Sequence, residues 1–310
     1  MYIGSSGVIS ILQTQLSILI IVVVAFAVTK AGLFSSKART DLTNVVIYVI
    51  LPCNIFSSFH KGITPETLRQ CVIVLVAALA LQLFYIILNK ILYFKFPPEQ
   101  RIVVQYATMV NNAGFLGLPV IESVFGEIGL LYGAIALIPL RVSMWTVGLS
   151  LFTKADKRQS LITVATHPCI WAVILGFIYA LSSFELPAFL SGTIEMVGNC
   201  TTVLTMFIVG SILSGVDPKN MVDKRCLYYS FFRLIAIPAM TFGVLTLPRV
   251  DMLTKGVVAL SSAMPAATMT AMLAEKYGKD SAFASKLVFI STILSMVTLP
   301  LIAAFLTRNM

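Results

Sequence analysis

The chain has 310 residues, of which 58% are hydrophobic and only 11% are charged. Soluble domains carry about 25% charged residues, and a soluble fold of this size needs more polar surface than this composition supplies. The composition therefore excludes an ordinary soluble protein, although the formal net charge of +9 by itself is also typical of nucleic-acid-binding proteins.

Apolar stretches long enough to cross a bilayer follow one another along the whole chain. A transmembrane helix needs about 20 apolar residues, and ten stretches approach or exceed this length, at residues 7–29, 42–59, 70–93, 103–124, 128–152, 166–183, 189–214, 226–247, 255–275 and 282–306. The first is too long for a cleavable signal core, and its positive charge, Lys30, lies behind it. We therefore predict an all-α polytopic membrane protein with ten transmembrane helices.

The basic residues are distributed unevenly between the two sides of these helices. The odd-numbered connections and the adjacent helix ends carry most of them, including Arg39, Lys157 and Lys286. Because cytoplasmic loops are enriched in Lys and Arg, this distribution predicts a multi-pass protein of the cell membrane with both termini on the non-cytoplasmic side. The net charge is then a topology signal and a contact with lipid headgroups, and no nucleic-acid partner is expected.

Motifs for cofactors and catalysis are missing from the sequence. The five cysteines are scattered without a Cys-x-x-Cys pair and are interpreted as small apolar residues, so we expect no metal site. No Gly-x-x-x-x-Gly-Lys loop is present, which argues against transport driven by the chain's own ATP hydrolysis. We expect no cofactor and no enzymatic activity.

The ten stretches divide into five and five at the basic loop around residues 153–158. An offset of 153 residues aligns the two halves without a gap and places Pro265 opposite Asn112. Because five is odd, the second half enters the membrane in the opposite orientation, which is the build of many secondary transporters. We predict two inverted five-helix repeats, at residues 1–153 and 161–310.

The fourth and ninth stretches carry helix breakers at matching positions. The fourth contains Asn111, Asn112 and Gly114, and the ninth contains Pro265 shortly before Thr268. Broken backbone at mid-membrane depth is tolerated only where it is buried or lines a cavity, and matched breaks indicate a transport site. The alternative is that these residues merely kink or pack the helices.

Arg141, near the middle of the fifth stretch, is the ionisable residue that most needs an explanation. A charge at this depth is costly and should face a cavity or a partner. A guanidinium can hold a carboxylate with two hydrogen bonds, but it can also be structural, bonded to helix-end carbonyls or to an acid. With the half-helix N-termini, which favour anions, it completes a predicted substrate site of Asn111, Asn112, Gly114, Arg141, Pro265, Ala266 and Thr268.

Three further charged residues lie within the stretches. Arg233 lies near the predicted cytoplasmic end of its helix, and snorkelling to the interface explains it. Glu122 and Glu195 lie towards the outer face and are interpreted as interfacial carboxylates, each of which could carry a coupling proton if buried. A sodium site built from amides and broken-helix carbonyls also stays open, so Na⁺ or H⁺ coupling is an alternative.

These motifs resemble the auxin efflux carrier family. The sequence Asn112-Ala113-Gly114-Phe115-Leu116-Gly117-Leu118-Pro119 is similar to the Asn-Thr-Gly-Phe-x-Gly-x-Pro of compact bacterial members, and Pro265 resembles the proline of the ninth-helix crossover. Residues 51–52, 167–176 and 207–210 match the patterns of the second, sixth and seventh helices. The resemblance covers essentially the whole chain, without the long cytosolic loop of plant members.

Three positions depart from the family pattern. Asn111 stands where plant carriers have a proline, Ala113 where threonine is common, and Arg141 where relatives often carry an uncharged amide. The change at Arg141 suggests a different or more strongly anionic substrate.

The resemblance implies a substrate class and a domain arrangement. The substrate would be a small organic carboxylate, such as an auxin-like, malate-like or malonate-like compound. Helices 1, 2, 6 and 7 would form a scaffold, often a homodimer, and helices 3–5 and 8–10 would form a transport domain that moves in an elevator-like manner around the crossover of helices 4 and 9.

Four functions are weighed on these grounds. The expected one is a secondary transporter of an organic anion. A sodium- or proton-coupled symporter or antiporter of related fold is an alternative, although no central acid favours the antiporter. A membrane ligand sensor lacks a signalling domain here, and an intramembrane enzyme would need a deep nucleophile–base pair or a metal set, neither of which is evident.

Overall fold

The computed structural model describes residues 5–59, 64–153, 158–159, 162, 165–182, 185–215, 223–246 and 250–308. Within these residues the chain is helical apart from turns and an isolated antiparallel bridge. The helices used below are α1 Ser5–Lys30, α2 Ser36–Ser57, α3 Pro65–Leu92, α4 Pro98–Met109, α5 Ala113–Gly148, α6 Pro168–Leu181, α7 Ala188–Ser214, α8 Lys224–Thr246, α9 Met252–Ser262, α10 Met269–Lys276 and α11 Ser281–Arg308.

Six of these helices are long and apolar enough to cross a membrane, namely α2, α3, α5, α7, α8 and α11. With the shorter apolar helix α6, they are consistent with the predicted polytopic, all-helical class. The count of ten spans and the inverted repeat stay predictions, because most of the boundary between the halves at residues 153–161 lies outside the described residues.

Helix α3 shows how the sequence suits a lipid environment. Thr64 caps it by accepting the N–H of Thr67, and Pro65 occupies its first turn. One stripe of large apolar side chains is exposed, namely Val72, Val76, Leu79, Leu83, Ile87 and Ile91. The opposite face buries amides, namely Gln70, Gln82 and Asn89. Apolar residues outside and polar residues inside are what a hydrocarbon solvent favours.

Gly126 folds helix α5 back on itself. Its φ of 68° and ψ of −163° interrupt the helix, in a region of backbone space that side chains disfavour. The two limbs pack together, since a methyl group added at Gly133 would lie 3.1 Å from Leu118 and 3.3 Å from Ile121. This helical hairpin therefore separates the predicted fourth and fifth stretches. It also brings the first turns of α5 close to the second limb of the same helix.

The helices form two packing groups. Helices α1 and α2 contact α6 and α7, and the closest approach is at Gly210 in α7, where a methyl group would overlap the carbonyl oxygen of Val22. In the second group, α3 packs on α5 and α9, while α8 packs on α9 and α11. The groups meet chiefly where α1 contacts α11 and where α7 contacts the start of α5.

The two helix breaks are residues 110–112, between α4 and α5, and residues 263–268, between α9 and α10. The two breaks occupy matching positions under the predicted offset of 153 residues. This offset maps α4 onto residues 251–262, and α9 spans nearly the same range, Met252–Ser262. Each break divides its stretch into two half-helices, as Asn111, Asn112 and Pro265 led us to expect.

Candidate functional site

The two helix breaks lie directly against each other. Asn111 and Ala266 form an antiparallel bridge, the N–H of Asn112 donates to the carbonyl oxygen of Pro265 at 2.8 Å, and the N–H of Ala267 donates to that of Val110 at 3.4 Å. Backbone groups that leave a helix inside a membrane need partners within the protein. Each break supplies them to the other.

The side chain of Asn111 strengthens this contact. It is only 5% exposed, its Nδ2 donates to the carbonyl oxygen of Ser261 at 2.7 Å, and its Oδ1 accepts the N–H of Ala113 at 3.3 Å. On the other break, the N–H of Ala266 donates to Oγ of Ser291 in α11 at 3.2 Å. Asn111 thus joins the end of α9 to the start of α5.

Arg233 lies behind the breaks, and its snorkelling interpretation is wrong. The residue is 0% exposed. Its Nε donates to the carbonyl oxygen of Met264 and its Nη1 to that of Thr108, both at 2.9 Å. A π-helical turn at Phe232–Ala236 in α8 carries it. The side chain turns inward because helix-end carbonyls offer hydrogen bonds that the hydrocarbon does not.

Arg141 occupies a different place, at the start of two helices. Its Nη2 would lie 3.3 Å from a methyl group added at Gly114, in the first turn of α5. Its Nη1 lies 2.7 Å from Nε2 of His167, the N-cap residue of α6. The N-terminal ends of helices carry partial positive charge, so the guanidinium adds a full positive charge to two partial ones.

This cluster has more hydrogen-bond donors than acceptors. Nδ1 of His167 accepts the N–H of Cys169 at 3.2 Å, while Nε2 faces the Arg141 guanidinium, which can only donate. A neutral imidazole has one bare nitrogen, so it satisfies one of these two donors and not both. The buried Nε of Arg141 also has no hydrogen-bond partner in the described part of the chain.

No carboxylate balances the charge of Arg141 among the residues that the structure describes. The ion pair found there joins Arg69 and Glu66 at 3.5 Å on the exposed start of α3. A buried charge without a counter-ion is costly. Two helix starts, a guanidinium and surplus donors therefore make this cluster chemically suited to an anion.

A cleft of about 750 Å³ opens between the two packing groups. On the α2 side it is lined by Arg39, Thr40, Thr43, Asn44 and Ile47, and on the α11 side by Ala282, Ser285, Lys286, Val288 and Phe289. Phe115 and Thr268, each at the start of a second half-helix, also line it. The cleft is large enough for a small dicarboxylate, and its two cationic residues attract anions.

The two acids proposed for coupling differ in their surroundings. Glu122 is half-buried, and its Oε2 accepts Nδ2 of Asn54, which belongs to α2 in the other packing group, at 3.3 Å. Glu195 is exposed on the first half of α7. Of these two acids, only Glu122 has a hydrogen bond that joins the two packing groups.

The structure divides the predicted site residues into three places. Asn111, Asn112, Pro265 and Ala266 meet at the helix breaks. Gly114 and Arg141 lie together at the start of α5, and Thr268 lies on the cleft wall.

Sequence reasoning missed three features of the site. The sequence patterns placed Arg233 at the membrane interface and indicated only a topology role for Arg39 and Lys286. They gave no connection between His167 and Arg141. The sequence places Arg233 inside an apolar helix. The sequence of that helix alone does not show whether the side chain turns into the protein or snorkels to the interface.

Comparisons with known proteins agree with this architecture. The family described as "Membrane transport protein" matches residues 10–163 and 157–303. The "Uncharacterized transporter MJ1031" of Methanocaldococcus jannaschii is 29% identical over 304 residues, which cover 94% of this chain and 97% of the relative.

Two further relatives extend the comparison. An "Uncharacterized transporter" of Methanothermobacter thermautotrophicus is 27% identical, over 93% of this chain and 96% of the relative. A protein of Rhizobium meliloti with the printed name "Putative malonate transporter" is 22% identical, over 84% of this chain and 85% of the relative. The chain therefore belongs to the membrane transport protein family, which is the auxin efflux carrier family that its motifs resemble.

Proposed function

We propose that this membrane transporter is a secondary carrier of a small organic anion, which binds at Arg141. The observation that carries the proposal is the positive cluster of Arg141, His167 and the starts of α5 and α6, which has surplus donors and no carboxylate among the described residues. A carboxylate would accept the free N–H groups of the guanidinium and restore the electrostatic balance.

The proposed path runs through the cleft between the packing groups. Arg39 and Lys286 attract the anion at the side that the charge distribution predicts to be cytoplasmic, and Thr268 lies on the cleft wall. Phe115 belongs to this wall, while its neighbour Gly114 lies beside Arg141. A small displacement of this segment would join the cleft to the Arg141 cluster.

The packing groups support an alternating-access mechanism. We assign α1, α2, α6 and α7, which form the first packing group, to the scaffold that the family resemblance implies, and α3–α5 with α8–α11 to the transport domain. Asn112 and Pro265 occupy equivalent positions in the two predicted repeats, and a hydrogen bond joins them. Equivalent residues of inverted repeats are expected to meet at the pseudo-two-fold axis that relates the repeats. We propose an elevator-like displacement of the second group, in a homodimer held by the first, in the cell membrane.

The substrate is proposed to be a malonate-like or similar dicarboxylate. The printed name of the Rhizobium meliloti relative mentions malonate, and the cleft residues Arg39 and Lys286 attract a dianion more strongly than a monoanion. Proton coupling is the second candidate, because Glu122 contacts Asn54 across the two packing groups.

A thermal-shift series tests anion binding. We expect malonate to raise the unfolding midpoint of the detergent-purified protein, because a ligand present at 100 times its Kd stabilises the folded state by about 2.7 kcal/mol. Malonamide, which has the same carbon skeleton without charge, is expected to leave the midpoint unchanged. Malate, indole-3-acetate and chloride at matched ionic strength complete the series. Equal shifts with malonamide, or no shift with any carboxylate, would contradict the proposal.

A further inference from the structure

The guanidinium of Arg233 lies where two helices end. It contacts the carbonyl oxygen of Thr108 in the last turn of α4 and that of Met264 just after α9, each at 2.9 Å. C-terminal helix ends carry partial negative charge. Two such ends converge on one cationic side chain, which is fully excluded from solvent.

The remaining groups around Arg233 also favour a cation. The ring of Tyr85 lies 5.0 Å from the guanidinium carbon, in a cation–π contact. The hydroxyl of Tyr229, one turn before Arg233 in α8, donates to the carbonyl oxygen of Ala107 at 2.8 Å. No carboxylate pairs with Arg233 in the described ranges, so carbonyl dipoles and an aromatic face stabilise its charge, while its Nη2 has no hydrogen-bond partner there.

Carbonyls of this kind have a known use in secondary transporters. Where half-helices end inside a membrane, their unwound carbonyls and C-terminal ends coordinate Na⁺ or H⁺, while the half-helix N-termini face the anionic substrate. The breaks of this protein have the same polarity, with Arg141 at the N-terminal end of the half-helix α5 and Arg233 at the C-terminal ends of α4 and α9.

We propose that the helix breaks form a cation site and that Arg233 is its built-in occupant. The chain therefore supplies the positive charge that a dissolved ion would otherwise bring, and the breaks hold their geometry without sodium. Arg233 acts as a positioning residue for α4 and α9, the half-helices that lead into the breaks containing Asn111 and Thr268. The consequence for transport rests on the proposed carrier function, whereas the cation site itself does not.

A cation series on the full-length purified protein tests the proposal without any carboxylate. The unfolding midpoint is measured while NaCl, KCl or LiCl replaces N-methyl-D-glucamine chloride at constant ionic strength. The wild type is expected to give the same midpoint throughout. Arg233→Ala is expected to have a lower midpoint that rises saturably with Na⁺ or Li⁺, because the small cation takes the place of the guanidinium at the two carbonyls.

Matched variants separate this role from a purely structural one. Arg233→Lys keeps the charge and is expected to show no cation dependence. Arg69→Ala removes an exposed arginine from α3 and is expected to behave as the wild type. A saturable sodium effect on the wild type, or a folded Arg233→Ala indifferent to all cations, would overturn the proposal. If Arg233→Ala does not fold, Arg233→Gln, which keeps an amide donor, is judged by the same criterion.

The same series distinguishes this inference from the proposed function. Failure of every tested carboxylate to bind leaves the cation result intact and refutes only the carrier proposal. Conversely, malonate binding that requires sodium in the wild type would support an anion site and refute the built-in cation.

Discussion

Arg141→Gln is expected to abolish carboxylate binding in a protein that remains folded. Truncating one partner of a buried, hydrogen-bonded charge pair costs about 2–5 kcal/mol, which at the lower figure is a loss of roughly 30-fold in affinity. Stability should not fall in parallel, because Arg141 has no acidic partner among the described residues and its buried Nε has no hydrogen-bond partner there. Glutamine removes a costly unpaired charge.

Isothermal titration with malonate checks this expectation, alongside the unfolding midpoint of each variant. Arg69→Gln is the control, because it removes an exposed arginine far along the sequence from the cluster and weakens only a surface ion pair. Arg141→Gln should show no measurable binding with an unchanged or higher midpoint. If its affinity equals that of the wild type, Arg141 is a structural residue and the proposed site is wrong.

Asn111→Ala is expected to destabilise the protein strongly and to stop transport. The substitution leaves the Ser261 carbonyl and the Ala113 N–H without their side-chain partner in a buried position. Each unsatisfied group costs about 1–3 kcal/mol, or about 2–6 kcal/mol for both. The start of α5, which carries Gly114, would also lose its tie to the end of α9.

Thermal unfolding in detergent measures this effect, and Asn199→Ala is the matched control. Asn199 is exposed at the end of the first half of α7, so its replacement should change stability by no more than about 0.5 kcal/mol. Equal midpoints for the two variants would show that Asn111 does not hold the breaks together.

Patterns within single helices predicted much of the fold. Apolar length located the helices, and Asn111, Asn112 and Pro265 located the breaks, because each of these signals depends on local backbone energetics. Gly126 shows the limit of such reasoning. The end of one apolar stretch and the start of the next were predicted, but the positive φ that folds α5 back was not.

The candidate site was less accessible from the sequence because it depends on distances between helices. Arg141 and Arg233 have similar apolar neighbours in the sequence, and only the packing of α5 and α8 shows that one reaches helix starts and the other helix ends. The link from Arg141 to His167 crosses from one packing group to the other. No periodicity within either helix encodes it.

The two arginines face opposite kinds of helix end. Arg233 donates to two helix-end carbonyl oxygens, while Arg141 lies beside two helix N-termini, and each guanidinium keeps one buried nitrogen without a hydrogen-bond partner in the described part of the chain. In our proposals the same guanidinium group is structural at a negative helix end and binds a ligand at a positive one. The environment, and not the residue type, separates the two roles.

Exchange transport in proteoliposomes tests the carrier proposal most directly. Vesicles containing the purified protein are loaded with unlabelled malonate, and uptake of external labelled malonate is followed. Transient accumulation above equilibrium, present in the wild type and absent in Arg141→Gln, is the predicted result. Binding of malonate without any exchange across the membrane would contradict the carrier and favour a membrane sensor.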